Sequence, residues 1–166
     1  MIPDRLPSRR VVNFAGFAVC CGLMGFALFA QHVLLLDPCP LCVFQRVAVI
    51  SIGVIFLVAA LHNPAGAGRI VYGLLLGLAA IGGGAVAGRH AWLQQLPPDQ
   101  VPSCGPGLDY MLDTLPFTEV LGKVFRGSGE CAEIVWQFLG LSMPGWVLVW
   151  MTVLGVAGIW NNFRRA

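Results

Sequence analysis

The sequence predicts an all-α membrane protein built as a four-transmembrane-helix bundle. Hydrophobic residues make up 57% of the chain and charged residues only 11%, and the mean hydropathy is +0.78. A soluble domain usually carries about 25% charged residues. Four apolar stretches also approach the roughly 20 residues that a helix needs to cross a bilayer. This composition excludes an ordinary soluble enzyme. A net charge of +2 without a basic run also excludes a nucleic-acid-binding protein.

The four predicted spans cover about 11–36, 43–61, 70–88 and 143–160. We interpret them as helices, because a segment within lipid must satisfy its backbone hydrogen bonds internally. A signal peptide is a weaker interpretation of the first span, which is longer than a typical apolar signal core and is followed by no clean cleavage site. In the third span, Gly73 and Gly77 form a G-x-x-x-G pattern that predicts close helix packing. The whole chain, 1–166, is expected to be one integral membrane domain.

Lysines and arginines divide unequally between the two predicted sides of the membrane. With four spans, both termini and the turn at 62–69 share one side. That side holds six arginines: Arg5, Arg9, Arg10, Arg69, Arg164 and Arg165. The other side holds Arg46, Arg89, Lys123 and Arg126, together with seven of the eight acidic residues. The positive-inside rule therefore predicts cytoplasmic termini, with the loops at about 31–45 and 89–142 facing outward.

The cysteines fall into two groups according to their position. Cys20 and Cys21 lie within the first span, where thiols behave as small hydrophobic side chains. The four outer cysteines are a C-x-x-C at the edge of the second span, Cys39 and Cys42, and two in the long outer loop, Cys104 and Cys131. The compartment outside a bacterial inner membrane is oxidising, so each outer pair is expected to form a disulfide.

The outer cysteines can be structural staples, exchangeable redox disulfides or ligands of a zinc ion. Zinc is disfavoured because the second half of the chain offers no C-x-x-C or H-x-x-x-H partner. Redox exchange is favoured because a C-x-x-C closes a very short loop, which makes a poor staple but a good exchange site. Arg46 lies one helical turn after Cys42, where its charge favours a thiolate. Interfacial snorkelling is the alternative explanation of Arg46.

The outer loop at 94–130 contains five prolines and no evident core of its own. Loops of this length are usually functional or flexible. Within it, apolar residues between Pro116 and Phe125 recur at helical spacing, which predicts a short amphipathic helix lying on the membrane surface. Such a helix would tether the loop and keep Cys131 near Cys39. The alternative is a helix packed on top of the bundle.

Three sequence blocks resemble the DsbB family of quinone-coupled membrane oxidases. They are Gln31-His32-Val33 with Asp37-Pro38-Cys39-Pro40-Leu41-Cys42-x-x-x-Arg46, then Arg89-His90-Ala91-Trp92-Leu93-Gln94 followed by Cys104, and finally Cys131-Ala132-Glu133 continuing to Trp146. With the four spans, the resemblance covers nearly the whole chain. The Pro-Leu interior of the C-x-x-C and the Cys104–Cys131 interval differ from the best-known members. Neither difference touches a residue whose chemistry is fixed.

The resemblance implies a thiol:quinone oxidoreductase of the bacterial inner membrane that reoxidises a DsbA-like periplasmic thiol oxidase. Cys104 would form the mixed disulfide with that partner. Cys131 would then attack Cys39 and release Cys42 as a thiolate. Two alternatives stay open. One is a relative that serves a dedicated substrate protein, and the other is a non-enzymatic four-span protein with structural disulfides.

The resemblance also implies a cofactor site beside the C-x-x-C. Cys42 would face the headgroup of ubiquinone (or menaquinone), and Arg46 would stabilise the negative charge that develops there. His90, at the outer end of the third span, would line the same headgroup pocket. No metal is expected.

Overall fold

A computed structural model describes residues 7–97, 99–101, 108–127 and 129–164 of the chain. In chain order the described elements are α1 (Arg9–His32), α2 (Pro40–His62), α3 (Ala67–Leu93), α4 (Leu108–Thr114), α5 (Phe117–Arg126), α6 (Gly129–Ala132), β1 (Gln137–Phe138), β2 (Leu141–Ser142) and α7 (Met143–Phe163). Four helices, α1, α2, α3 and α7, are long and apolar enough to cross a membrane. The predicted fold class is confirmed, and the chain is a multi-pass membrane protein.

The helices begin and end several residues away from the predicted boundaries. The first helix ends at His32 rather than near Leu36, and Leu35 has a positive φ of 54° that no helix accommodates. The second begins at Pro40 rather than Val43, because proline at the first helical position has the required φ and lacks only an N–H that would be unpaired anyway. Because α2 begins at Pro40, the C-x-x-C lies at the N-terminus of this helix and not in the loop before it.

Small residues bring α3 and α7 together in the most extensive helix pair of the bundle. A Cβ added at Gly73 would lie 2.7 Å from the ring of Phe163, and one at Gly77 would lie 3.0 Å from Ile159. The prediction of close packing at this G-x-x-x-G is therefore confirmed. The main core lies among the four spans, with Phe56 fully buried at its centre.

Three buried asparagines join the first and last spans at the end of the bundle that carries the termini. The Nδ2 atoms of Asn161 and Asn162 donate hydrogen bonds of 2.9 and 3.1 Å to Oδ1 of Asn13. Such bonds between membrane helices each contribute about 0.6 kcal/mol on average. They also supply partners for polar groups that would otherwise be unpaired in an apolar interior.

The outer loop shares a small core with the ends of α2 and α3. Val120 and Val124 of α5 are buried together with Leu41, Leu93 and Met111. Val120 and Val124 on the apolar face of α5 thus pack on the top of the bundle, as the alternative predicts, while Phe125 of the same helix remains 46% exposed. Packing against the bundle removes this face from water as effectively as lipid would.

Arg89 fixes the end of α5 to the bundle. Its Nε and Nη2 atoms donate to the carbonyls of Phe125 and Arg126, at 3.3 and 3.0 Å. The last carbonyls of a helix have no partner within that helix, and a cationic donor suits them best. This contact holds the loop against α3, close to the C-x-x-C.

We expect Gly83→Ala to destabilise the bundle, whereas the neighbouring Gly82→Ala does not. The added methyl at Gly83 would lie 2.8 Å from Cβ of Ala48 and 2.8 Å from Sδ of Met151, but at Gly82 it would meet nothing within 4 Å. Overpacking of this kind costs about 1–3 kcal/mol. Denaturant titration of the two variants in detergent measures the difference. Equal denaturation midpoints for Gly83→Ala and Gly82→Ala would contradict this packing.

Candidate functional site

The C-x-x-C forms the first turn of α2. Cys39 is the N-cap residue, and Pro40 and Leu41 are buried beneath the outer loop. Cys39 and Cys42 are both half-buried thiols, and their Sγ atoms lie 3.2 Å apart. Their proximity within one helical turn allows a disulfide to form and open with little movement of the backbone.

His90 of α3 lies against Cys39. Its Nε2 atom is 3.7 Å from Sγ of Cys39, and its Nδ1 atom is 2.9 Å from Nε2 of Gln45. Both His90 and Gln45 are buried, at 3% and 4% exposure. The sequence did not identify Gln45 as a site residue. A polar residue one turn into an apolar span is nevertheless a pattern that indicates a functional position.

An apolar cavity of about 310 Å³ lies between α1, α2, α7 and the segment that precedes α7. Cys42 and Arg46 contribute to its wall, together with aromatic residues: Phe26, Trp136, Phe138, Trp146 and Trp150. His90 is not one of the lining residues, so its predicted place beside a headgroup remains a prediction. The cavity volume falls at the lower end of the range for small-molecule sites.

Arg46 is held by α1. Its Nη1 atom donates to Oε1 of Gln31 at 2.5 Å, and its Nη2 atom donates to the carbonyl of Ala27 at 3.2 Å. A guanidinium has five N–H donors, so these bonds leave others for a ligand in the cavity. Arg46 also lies within electrostatic reach of Cys42. These contacts direct the guanidinium towards α1 and the cavity, which snorkelling alone does not explain.

A two-residue β-hairpin forms the outer edge of the cavity. Its turn residues Leu139 and Gly140 have φ values of 50° and 80°, as the tight turn between twisted strands requires. Nε1 of Trp146 donates to the carbonyl of Phe138 at 3.0 Å, and Trp136 packs edge-on against Phe26 at 5.6 Å. The block from Cys131 to Trp146 is distinctive, but nothing in its pattern indicated that its aromatic residues would line the same cavity as Cys42.

Cys131 lies next to the C-x-x-C, as the sequence predicts. It is buried in α6 at 1% exposure, within the same small core as Leu41, and Cys39 packs against that core. It is also within electrostatic reach of Cys42 and His90. Cys104, the fourth predicted redox cysteine, lies outside the described residues.

The mid-span cysteines are separate from this site. Cys20 is buried in the main core, where its Cβ would lie 3.1 Å from a Cβ added at Gly53, and Cys21 is exposed on the outer face of α1. The position of Cys20 is consistent with the packing role that the sequence predicts, whereas Cys21 faces away from the core.

Comparison with known proteins gives one consistent result. Residues 9–161 match the family model described as "Disulfide bond formation protein DsbB". A protein of Nitrosococcus oceani named disulfide bond formation protein B is 56% identical, over 95% of this chain and 93% of its own length. Similar proteins of the same name occur in Hahella chejuensis, with 52% identity over 92% of both chains, and in Saccharophagus degradans, with 49% identity over 98% of both.

We expect Cys39 and Cys131 to form a disulfide under mild oxidation in the double variant Cys42→Ser/Cys104→Ser. The two residues pack on the same small core, so their sulfurs can approach bonding distance with small loop movements. Mass spectrometry of peptides under non-reducing conditions detects the bond. A matched variant that also carries Cys131→Ser provides the control. Pairing of Cys39 with Cys20 or Cys21 instead would contradict the placement of α6.

Proposed function

The chain belongs to the DsbB family of disulfide bond formation proteins, and from this premise we propose that it reoxidises a DsbA-like periplasmic thiol oxidase and passes the electrons to a membrane quinone. The observation that carries the proposal is the cavity beside the C-x-x-C, which places a thiol and an arginine against an apolar, aromatic wall. A DsbA-like protein is a strong oxidant, at about −120 mV, so its reoxidation requires a still stronger electron acceptor.

The residues of the cavity fit a quinone headgroup. A flat conjugated ring with two carbonyl oxygens suits aromatic walls such as those of Trp136 and Trp146, and its oxygens need a hydrogen-bond donor. Arg46 offers N–H groups that Gln31 and Ala27 do not use. A bound quinone would supply an acceptor for two electrons and two protons. Ubiquinone and menaquinone both meet these requirements.

Exchange between the two cysteine pairs proceeds through thiolate attack. The partner protein, bound to Cys104 as a mixed disulfide, leaves Cys131 as the nucleophile. Cys131 attacks Sγ of Cys39, so that a Cys131–Cys39 bond forms and the Cys39–Cys42 bond breaks. Cys42 is released as a thiolate that carries the electron pair of the broken bond. The burial of Cys131 in the same small core as Leu41, against which Cys39 packs, supports this order.

Arg46 and the cavity wall then act on Cys42. The guanidinium stabilises the thiolate across the first turn of α2, and the lining of the cavity beside the sulfur is mostly apolar. Gln31 and the carbonyl of Ala27 keep the guanidinium at this depth, where an unpaired cation is costly to bury. The protein therefore contributes a thiolate, a fixed positive charge and an aromatic wall.

The proposal requires that the end of the bundle that carries the site faces the periplasm. The C-x-x-C, α5 and α6 lie at one end of the bundle, opposite the Asn13 cluster and the termini. The arginine distribution favours cytoplasmic termini, which supports a periplasmic redox end in a bacterial inner membrane.

The direct test is quinone reduction by the purified protein, followed by absorbance, with and without a reduced DsbA-like partner. We expect reduction only when the partner is present. Arg46→Ala removes a charged hydrogen-bond donor, which costs about 1.5–3 kcal/mol and raises the quinone KM on the order of 10- to 100-fold. Arg46→Lys retains a point charge but not the planar donors, so its effect is smaller.

Arg69→Ala is the matched control, since this arginine lies at the other end of the bundle, where it donates to the carbonyl of Arg164. It should keep the parent quinone KM. Thiol exchange between the partner and Cys104 should survive in Arg46→Ala, because that step needs no quinone. If Arg46→Ala matches the parent over a range of quinone concentrations, Arg46 is an interfacial anchor and the cavity is not the quinone site.

The orientation of the protein in the membrane is tested separately. We expect a membrane-impermeant maleimide to label Cys104 in reduced spheroplasts, since the outer loop faces the periplasm. Labelling is followed by gel shift, and Cys104→Ser provides the control for labelling at other cysteines. Labelling that requires a broken membrane would reverse the assigned topology.

A further inference from the structure

Three soft ligand atoms converge at the outer end of α2 and α3. Sγ of Cys39, Sγ of Cys42 and Nε2 of His90 all lie within 4.8 Å of one another. The two sulfurs are 3.2 Å apart, and Nε2 is 3.7 Å from Sγ of Cys39. In a tetrahedral zinc site, neighbouring thiolate and imidazole ligands are separated by about 3.5–3.8 Å, given Zn–S and Zn–N bonds of about 2.3 and 2.0–2.1 Å. Small side-chain adjustments therefore convert this cluster into a metal site.

The histidine is already oriented as a metal ligand. Gln45 contacts Nδ1 of His90 at 2.9 Å, and this contact directs Nε2 towards Cys39. The oxygen and nitrogen of a glutamine amide exchange places by a half-turn of the amide. With the oxygen towards the ring, Gln45 accepts the Nδ1–H and leaves the lone pair of Nε2 for a metal. An outer hydrogen bond of this kind is a regular feature of metal-bound histidines.

We propose that the reduced protein binds one soft divalent cation, Zn²⁺ or Cd²⁺, through Cys39, Cys42 and His90, with water as the fourth ligand. Among the described residues no carboxylate belongs to the cluster, which favours a soft cation over Ca²⁺ or Mg²⁺. The site was not expected from the sequence, where no second ligand motif follows the C-x-x-C. It arises because α3 delivers a single histidine 51 positions away along the chain.

Metal binding in this site depends on the redox state of the thiols. A thiolate binds the cation, whereas a disulfide sulfur does not. The site therefore exists only when Cys39 and Cys42 are both reduced. Binding displaces any proton that either sulfur still carries and transfers no electrons. The bound cation then occupies both sulfurs, so neither can exchange. The same thiols serve the proposed function, but the metal site requires neither a quinone nor a partner protein.

The experiment is a Cd²⁺ titration of the Cys104→Ser/Cys131→Ser protein after reduction and removal of the reductant. The thiolate-to-cadmium absorption band reports stoichiometry, and competition with a chelator reports affinity. We expect one Cd²⁺ per chain in the reduced protein and none at this site after oxidation. His90→Ala should weaken binding at least tenfold, and Gln45→Ala about 10- to 100-fold. Gln45→Glu should retain affinity, since a carboxylate also accepts the Nδ1–H.

Matched control variants test whether other thiols or histidines of the chain bind the metal. His62→Ala removes a histidine at the opposite end of α2, where it contacts Tyr72, and Cys20→Ser/Cys21→Ser removes the mid-span thiols. Both should bind Cd²⁺ as the parent does. Circular dichroism confirms that each variant retains its helices.

A spectroscopic measurement keeps the test independent of any variant that fails to fold. X-ray absorption at the zinc edge on the Cys104→Ser/Cys131→Ser protein should give two sulfur ligands and at least one imidazole nitrogen. Zinc with sulfur and oxygen ligands only, or an unchanged Cd²⁺ affinity in folded His90→Ala, would show an ordinary dithiol and overturn the site. Quinone reduction by metal-free parent protein is measured separately, so failure of the metal site and failure of the proposed function are distinguishable.

Discussion

Burial of Leu41 is the packing interaction on which the redox end of the molecule depends. This residue, inside the C-x-x-C, is fully buried beneath Val120 and Val124 of α5 and beside Leu93 of α3. Because Leu41 is covered, the first turn of α2 is fixed relative to the loop that carries Cys131. Apolar burial thus places the reactive sulfurs side by side, and the hydrogen bonds of Arg89 to the end of α5 stabilise that arrangement.

The two thiols of the C-x-x-C face different surroundings. Cys39 meets His90 and the small core that contains Cys131, whereas Cys42 meets the apolar cavity and Arg46. The difference follows from the helix itself, since residues three apart at an N-terminus differ by about 60° in direction at 3.6 residues per turn, and one of them is the N-cap. In the proposed function, this division separates protein thiol exchange from electron transfer into the membrane.

Sequence patterns predicted those structural elements that a short, continuous stretch of the chain specifies. Hydropathy identified all four spans, and the G-x-x-x-G at Gly73 and Gly77 identified a close helix contact. The boundaries shifted because capping and backbone geometry, at Pro40 and Leu35, decide where helices begin and end. The helix near Pro116 was predicted, but its amphipathic pattern could not distinguish a lipid surface from the top of the bundle. Both environments remove the same apolar face from water.

By itself the sequence determined the membrane class, the number of spans, the position of the C-x-x-C at the edge of a span and the family. Each of these depends on composition, on local spacing or on a contiguous motif. Only the tertiary structure decided that Gln31 holds Arg46, that Gln45 holds His90, and that Phe138 of the hairpin lines the cavity. These contacts join residues on different helices or loops, and their geometry follows from how four helices pack. No periodicity along one chain segment encodes that packing.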